Sequence, residues 1–293
     1  VVDYPPENRQ DWDCATAAAI KAKAATGRPM AVVASLPELM PADTAAELIA
    51  GGVVPMYGLR EAIEAAAATL RIRAPEALAL ALPGEDHQTE VLDEGTAKLA
   101  LAKHGFDVPK TVSVAGENGL GDAAEALQAP LVLKGRGIAH KTEAGAVKLG
   151  LSHGELDAAA AEMPTESFLV EEMIDGGVAE LLVGVTRDPA HGFVLTLAAG
   201  GVLTELLADS TSLLVPASRE SIKQSLTKLK TSKLLLGYRG AEAANMEAVL
   251  DAVEALQAYV LANVDSVDEA EVNPLICTPT RAVAADALIR KAL

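Results

Sequence analysis

A chain of 293 residues, half of them hydrophobic but only 3% aromatic, suits two domains of ordinary size with interiors built from small aliphatic side chains. A formal charge of −17 excludes a protein that holds nucleic acid by neutralising phosphates, and no apolar run reaches the roughly 20 residues that a membrane-spanning helix needs. Two cysteines, Cys14 and Cys277, lie far apart without metal-ligand spacing, which argues against a disulfide framework or structural zinc and fits a reducing cytoplasm.

The opening VVDYPPENRQDWD is acidic and polar, unlike a signal peptide, and lacks an initiator Met, so the chain is expected to be processed or part of something longer. Helices are predicted over Cys14–Ala25, around Ala42–Ala50 and over Leu59–Leu70, with strands at PMAVVAS and VVPMY between them. Continuous apolar runs bounded by turns predict buried parallel strands, and two strands with three helices make only part of a doubly wound sheet with open edges. From Arg71 onward prolines, a glycine and the polar run GEDHQTE break both periodicities. The reading is therefore a first domain over residues 1–80, a linker over 81–90 with His87 in solvent, and a second domain over 91–293.

In the second domain the pattern predicts a helix at Asp93–His104, strand VPKTVSV, helix Asp122–Leu127 and strand PLVLK. A Gly-rich connection, a strand at Ala146–Leu151 and a helix at Glu155–Met163 follow. Strands SFLVEEMI, AELLVGVTRD and GFVLTLAAGG are separated by Asp175-Gly176-Gly177 and Asp188-Pro189, which read as hairpin connections. Helices at Arg219–Lys230 and Asn245–Val264 precede a closing strand pair, EAEVNPLIC and TRAVAADALI. Successive hairpins imply an antiparallel sheet, so this half is α+β.

The richest chemistry lies in LVLKGRGIAHKTEAGAV, Leu131 to Val147. Lys134, Arg136, Lys141 and Lys148, with His140 and one acid, Glu143, invert the charge of an acidic protein, and Gly135, Gly137 and Gly145 let the backbone approach a ligand. Strand, basic Gly-rich loop, strand is a phosphate-covering arrangement without the Walker pattern; the alternative is an exposed basic loop with no ligand. Glu171-Glu172 at the end of an apolar strand suit ribose hydroxyls, with backbone groups near Glu172 and Met173 pairing an adenine edge, or are merely solvated. Glu271 and Asn273 alternate with Val272 and share a strand face, a sufficient oxygen-donor pair for Mg²⁺, to which Asp286 adds a second carboxylate; the alternative is a plain polar face. His140 is the one histidine inside a charged cluster. His104 suits a helix end, and His153 and His191 suit polar turns.

These segments resemble the nucleoside-diphosphate-forming acyl-CoA synthetases, relatives of succinyl-CoA synthetase. The resemblance is carried by PLVLKGRGIAHKTEAGAVKLGL, FLVEEMIDGGVAELLVGVTRDPAHGFVLTLAAGGVLTELLADS, LLLGYRG, EAEVNPLI and AVAADALI. It implies an ATP-grasp fold after about residue 90, preceded by the latter part of a flavodoxin-like ligase domain. It implies ATP or ADP and Mg²⁺ as cofactors, Lys134 and Arg136 at the phosphates, and Glu171, Glu172 and Met173 at the adenine and ribose hinge. Gly200, Gly201 and Glu205 fall beneath the phosphates, Glu271 and Asn273 at the metal, and His140 matches a second histidine assisting a mobile phosphohistidine. Glu271 stands where the family usually has Asp, which lengthens the arm. The implied reaction converts a small carboxylic acid, ATP and CoA to acyl-CoA, ADP and phosphate. CoA-binding and phosphohistidine-bearing domains are not found in the sequence, so the chain is expected to be a fragment of a fused synthetase or one subunit of an oligomer. A nucleotide-sensing module fused to a protein acyltransferase, or a specialised ligase or lyase on the same scaffold, are the alternative readings.

Overall fold

The computed structural model describes residues 1–5, 9–70, 79–85, 88–138, 141, 144–201 and 209–293. The chain divides into two compact units, Val1–Ala77 and Leu78–Leu293. Among the described residues no helix is long and apolar enough to cross a membrane.

The first unit holds helix α1 (Asp13–Thr26), strand β1 (Ala31–Ala34), α2 (Ala42–Ala50), β2 (Val54–Tyr57) and α3 (Leu59–Thr69). The strands pair in parallel, Ala31 opposite Val54 through Ala34 opposite Tyr57, because α2 returns the chain to the same end of the sheet. Ala45 and Leu48, three apart on one helix face, join Tyr4, Val32, Ala34, Met40 and Val53 in a small core. The expectation of buried strands holds for alternate residues of β1 but fails at β2, which has no buried residue. Val54, Tyr57, Leu59 and Ile63 stay exposed.

The second unit contains two sheets. The smaller has four antiparallel strands in the order β4 (Thr111–Ala115), β7 (Ser167–Glu172), β5 (Leu131–Gly135), β6 (Val147–Leu151). Helices α5 (Leu120–Ala123) and α6 (Leu156–Ala160) cover one face, burying Leu120, Leu131, Leu133, Leu156, Phe168 and Val170. The larger has seven strands, in the order β10 (Ser210–Leu214), β9 (Gly192–Ala199), β8 (Ala179–Asp188), β11 (Val267–Cys277), β13 (Ala287–Ala292), β3 (Thr89–Val91), with β12 (Ala282–Ala284) also on β11. Helix α4 (Glu94–Ala102), α7 (Arg219–Lys228), α8 (Ser232–Leu235) and α9 (Met246–Ala262) contribute to its core, where Val249, Val253, Leu256 and Val260 of α9 recur at helical spacing.

Several predicted connections change in the structure. Asp175-Gly176-Gly177 is not a hairpin, because β7 belongs to the small sheet and β8 to the large one; the glycines carry the chain between sheets. TRAVAADALI is two strands rather than one, broken at Ala285-Asp286. The helix read at Asp122–Leu127 begins earlier and ends at Ala123. Thr89 and Glu90, read as linker, pair with Ala292 and Lys291 at the sheet edge.

Candidate functional site

Lys134 is the last residue but one of the interior strand β5, and its ammonium reaches Ala285, beside the strands of the large sheet. Only 7% exposed, it donates to Glu94 Oε1 at 2.7 Å and to the carbonyl of Ala285 at 2.6 Å, and meets Glu171 Oε2 at 2.9 Å. Ala285 lies in the break between β12 and β13, so this one side chain ties the two sheets together. Lys141 reaches the same place from the Gly-rich loop, contacting Glu94 Oε2 and donating to Asp286 at 3.1 Å. Arg136 donates to Asp93 at 3.1 Å, while its Nε is buried without a hydrogen-bond partner.

The acids that complete this cluster come from α4, which sequence reasoning did not single out. Asp93 caps the helix by accepting from Thr96 N at 3.3 Å and holds Arg136; Glu94 is the first helical residue. Lys98, one turn on and 2% exposed, donates to Glu94 Oε1 at 2.7 Å and to Glu171 at 2.6 and 2.9 Å. Gly95 allows the approach, since a Cβ there would lie 3.3 Å from Leu169 of β7. The signal available in the sequence was the i, i+4 pair Glu94 and Lys98 on the same helix as buried Ala97 and Leu101.

Glu171 is therefore not a free strand-terminal acid. It is 2% exposed, and both of its oxygens are engaged by Lys98, Lys134 and the Thr111 hydroxyl, the last at 2.9 Å. Glu172 remains partly exposed, accepting from Lys110 at 3.3 Å and from Gln128 N at 3.0 Å. Its own amide donates to Lys110 O and that of Met173 to Pro130 O, so neither N–H is free to pair an adenine edge in this state.

The metal-candidate pair sits where β11 slips register between Val272 and Leu275. Glu271 and Asn273 hydrogen-bond each other, and Asn273 Oδ1 accepts from Gly201 N at 3.3 Å. Gly200 runs against the next strand so closely that a Cβ there would lie 2.6 Å from the Leu181 carbonyl carbon. Asp286, which meets Lys141, also lies within electrostatic reach of Glu271, so two carboxylates and an amide oxygen are brought near one another, a donor set matching the preference of Mg²⁺ for oxygen. Among the described residues no group of three His, Cys, Asp or Glu forms a metal site by itself. His140 and Glu205 lie outside the described residues.

Electrostatics sharpen the division between the two sides. Burial opposes the charge on Glu94, but Lys134, Lys98 and Lys141 outweigh it and hold its carboxyl well below the usual range. Burial likewise works against Lys134, yet Glu171, Glu94 and Asp286 raise it above an ordinary lysine. Lys98 goes the other way, pushed down by burial and by neighbouring Lys134. On the acid side, burial raises Glu271, with Glu269 and Asp286 adding repulsion, and burial together with Glu94 raises Asp286. Asp286 keeps Lys134 and Lys141 as positive neighbours, but they do not offset burial and Glu94, whereas the charges that act on Glu271 are the repelling Glu269 and Asp286.

Comparison with known proteins puts a family to this arrangement. A trans-feruloyl-CoA synthase from an unknown prokaryotic organism is 30% identical over 214 residues, covering 68% of this chain and 30% of that protein. An ADP-forming acetate–CoA ligase from Archaeoglobus fulgidus is 34% identical over 143 residues, 44% of this chain and 21% of the ligase. The chain spans less than a third of the length of either relative. Acetyl-coenzyme A synthetase 1 of Ca. Korarchaeum cryptofilum, solved with coenzyme A and Ca-AMPCP, superposes with a TM-score of 0.63 at 28% identity, covering 68% of this chain and 93% of that one. A second structure of that synthetase, with coenzyme A, Mg-AMPPCP and its phosphohistidine segment pointing towards the nucleotide site, gives 0.59 at 28% identity over 67% and 90%. Residues 84–290 match the ATP-grasp domain model, and the chain belongs to the ATP-grasp family.

Proposed function

We propose that this chain supplies the nucleotide-binding part of an ADP-forming acyl-CoA ligase, which joins a carboxylic acid to coenzyme A with cleavage of ATP to ADP and phosphate. The observation that carries the reading is the meeting of Lys134 with the Ala285 carbonyl and of Lys141 with Asp286, near Glu271 and Asn273, at the seam between two sheets. Phosphoryl transfer needs little covalent help from a protein beyond positioning and charge neutralisation, and this seam offers fixed cations facing oxygen donors. Lys134 and Arg136 attract the phosphate oxygens. Gly200 and Gly201 would approach the phosphates from beneath, a role for which Glu205 is also a candidate. Glu271 and Asn273, with Asp286 beside them, would hold Mg²⁺, which when bound supplies further charge neutralisation on the phosphates. Glu172 and Met173 border the base and ribose.

His140 receives or orients the phosphoryl group. The bond from the γ-phosphorus to the bridging oxygen breaks, ADP leaves with the electron pair, and a phosphorus–nitrogen bond forms on a histidine that passes the group onward. By analogy with the synthetase whose phosphohistidine segment points towards the nucleotide, the onward acceptor belongs to other domains or a partner subunit, which also bind coenzyme A and choose the acid. The first unit, Val1–Ala77, would be the end of a flavodoxin-like ligase domain, and the second unit, with β3 in its large sheet, the ATP-grasp part. The setting proposed is an oligomeric assembly in the cytoplasm.

Calorimetry with ADP and Mg²⁺ is expected to show binding to the chain, and absence of heat with folded protein overturns the reading. His140→Ala is expected to leave ADP affinity intact and depress phosphoryl transfer in the full assembly; unchanged turnover removes His140 from the mechanism.

A further inference from the structure

Resting on that nucleotide-site reading, we propose that Glu94 is the positioning residue of the phosphate site: it gathers three lysines when no phosphate is present and yields Lys141 alone to an arriving nucleotide. The two oxygens of its carboxylate are used differently. Oε1 takes Lys98 and Lys134, both at 2.7 Å, whereas Oε2 faces Lys141. Lys98 and Lys134 each have a second buried holder in Glu171, at 2.6 and 2.9 Å, and Lys134 is further fixed by the Ala285 carbonyl. Lys141 is more exposed than either, and its second contact, Asp286, is longer at 3.1 and 3.4 Å. It also lies between Gly137 and Gly145, both in the left-handed region, where the chain turns without a Cβ penalty.

Charge balance gives the proposal its direction. Among the described residues Lys98, Lys134 and Lys141 face Glu94, Glu171 and Asp286, three lysines against three carboxylates, so these six groups carry no surplus positive charge for a polyanion. A phosphate gains a strong contact here when a lysine leaves a carboxylate. Glu94 cannot follow it, because it stands at the first position of α4, whose start is fixed by the Asp93 cap and by the close pass of Gly95 against Leu169. It is a stationary competitor for Lys141 and a permanent brace for Lys98 and Lys134.

The test separates this from the nucleotide reading itself. In protein without nucleotide, acetylation of lysines followed by peptide mass spectrometry reports how tightly Lys141 is held, with exposed Lys223 as the internal standard. Glu94→Gln removes one charge-assisted bond and is expected to raise Lys141 labelling about tenfold relative to Lys223, and an unchanged ratio overturns the proposal. Calorimetry should then show Mg²⁺-ADP binding roughly fivefold to tenfold tighter to E94Q than to wild type, since a competitor is gone. Equal or weaker binding also overturns it, because a residue that merely braces the fold weakens the site when lost. Should E94Q not fold, Glu94→Asp keeps the charge and shortens the arm; its Lys141 labelling must rise in the same direction or the proposal fails. If wild type binds no nucleotide, the functional reading falls, while the labelling result still decides whether Glu94 holds Lys141.

Discussion

Glu94 and Arg219 are the two charged hubs of the second unit, and they are mirror images. One carboxylate gathers three lysines at the seam between sheets; one guanidinium gathers three acids, Glu247 at 2.6 Å, Asp251 at 2.8 Å and Glu254, on a single face of α9. The stoichiometry is the same but the surroundings differ. Arg219 and its partners are open to water, which can replace each contact as it breaks, so the cluster pins α7 to α9 with little at stake. The lysines around Glu94 have no such substitute, and breaking one pair leaves a buried charge uncompensated. A hub in water is an accessory to packing, whereas a hub in the interior dictates which charges a ligand must displace.

The contrast is most severely tested by Lys134→Met. Leaving Glu94, Glu171 and Asp286 with only Lys98 and Lys141 to balance them should cost about 3–5 kcal/mol in urea unfolding of the second unit, and a loss below about 1 kcal/mol would put the two hubs in the same class. Acid pH probes the same cluster without mutation. The Glu94 carboxyl is held below its ordinary 4.5, so the unfolded chain takes up its proton more readily than the folded one. The stabilisation is then complete above pH 4.5 and lost as pH falls below it. The urea midpoint should drop between pH 5 and pH 3, and this drop should be reduced in E94Q. On the acid side of the seam, Glu271→Gln should raise the Mg²⁺ concentration needed for ADP binding about tenfold, equivalent to about 1.4 kcal/mol, read by titrating the metal at fixed nucleotide. The smallest effect is expected from Arg219→Ala: a slight fall in thermal midpoint that disappears near 1 M salt, where screening acts over about 3 Å, with ADP affinity unchanged.

How much of this was legible in the sequence depends on range. AELLVGVTRD forms β8 over the same residues that alternation and turn chemistry predict, and the helix at Ala42–Ala50 lies where it was read, because both signals are local. The DGG turn after β7 was misjudged since local chemistry says that the chain turns and not which sheet receives the next strand. STSLL and TEV were passed over as strands, being short and polar; their pairing comes from neighbours distant in sequence. The site divides in the same way. Lys134 stands out in the sequence at the end of an apolar run, and Glu271 with Asn273 as one face of a strand, but the basic loop reads as carrying a surplus of positive charge. Its counter-ions, Glu94 and Glu171, lie 40 and 37 residues away from Lys134, and Lys98 lies 73 from Glu171, separations that no local pattern encodes.

The close pass of Gly200 over Leu181 sets a rule for anyone grafting segments between relatives of this protein. With a Cβ placed 2.6 Å from backbone, even alanine demands that β8 or the turn be displaced, and β8 is wedged between β9 and β11. The turn therefore travels as a cassette with the strand it crosses. Exchanging 200–201 without β8 would transplant the residues of a loop while leaving behind the surface that gives it its shape.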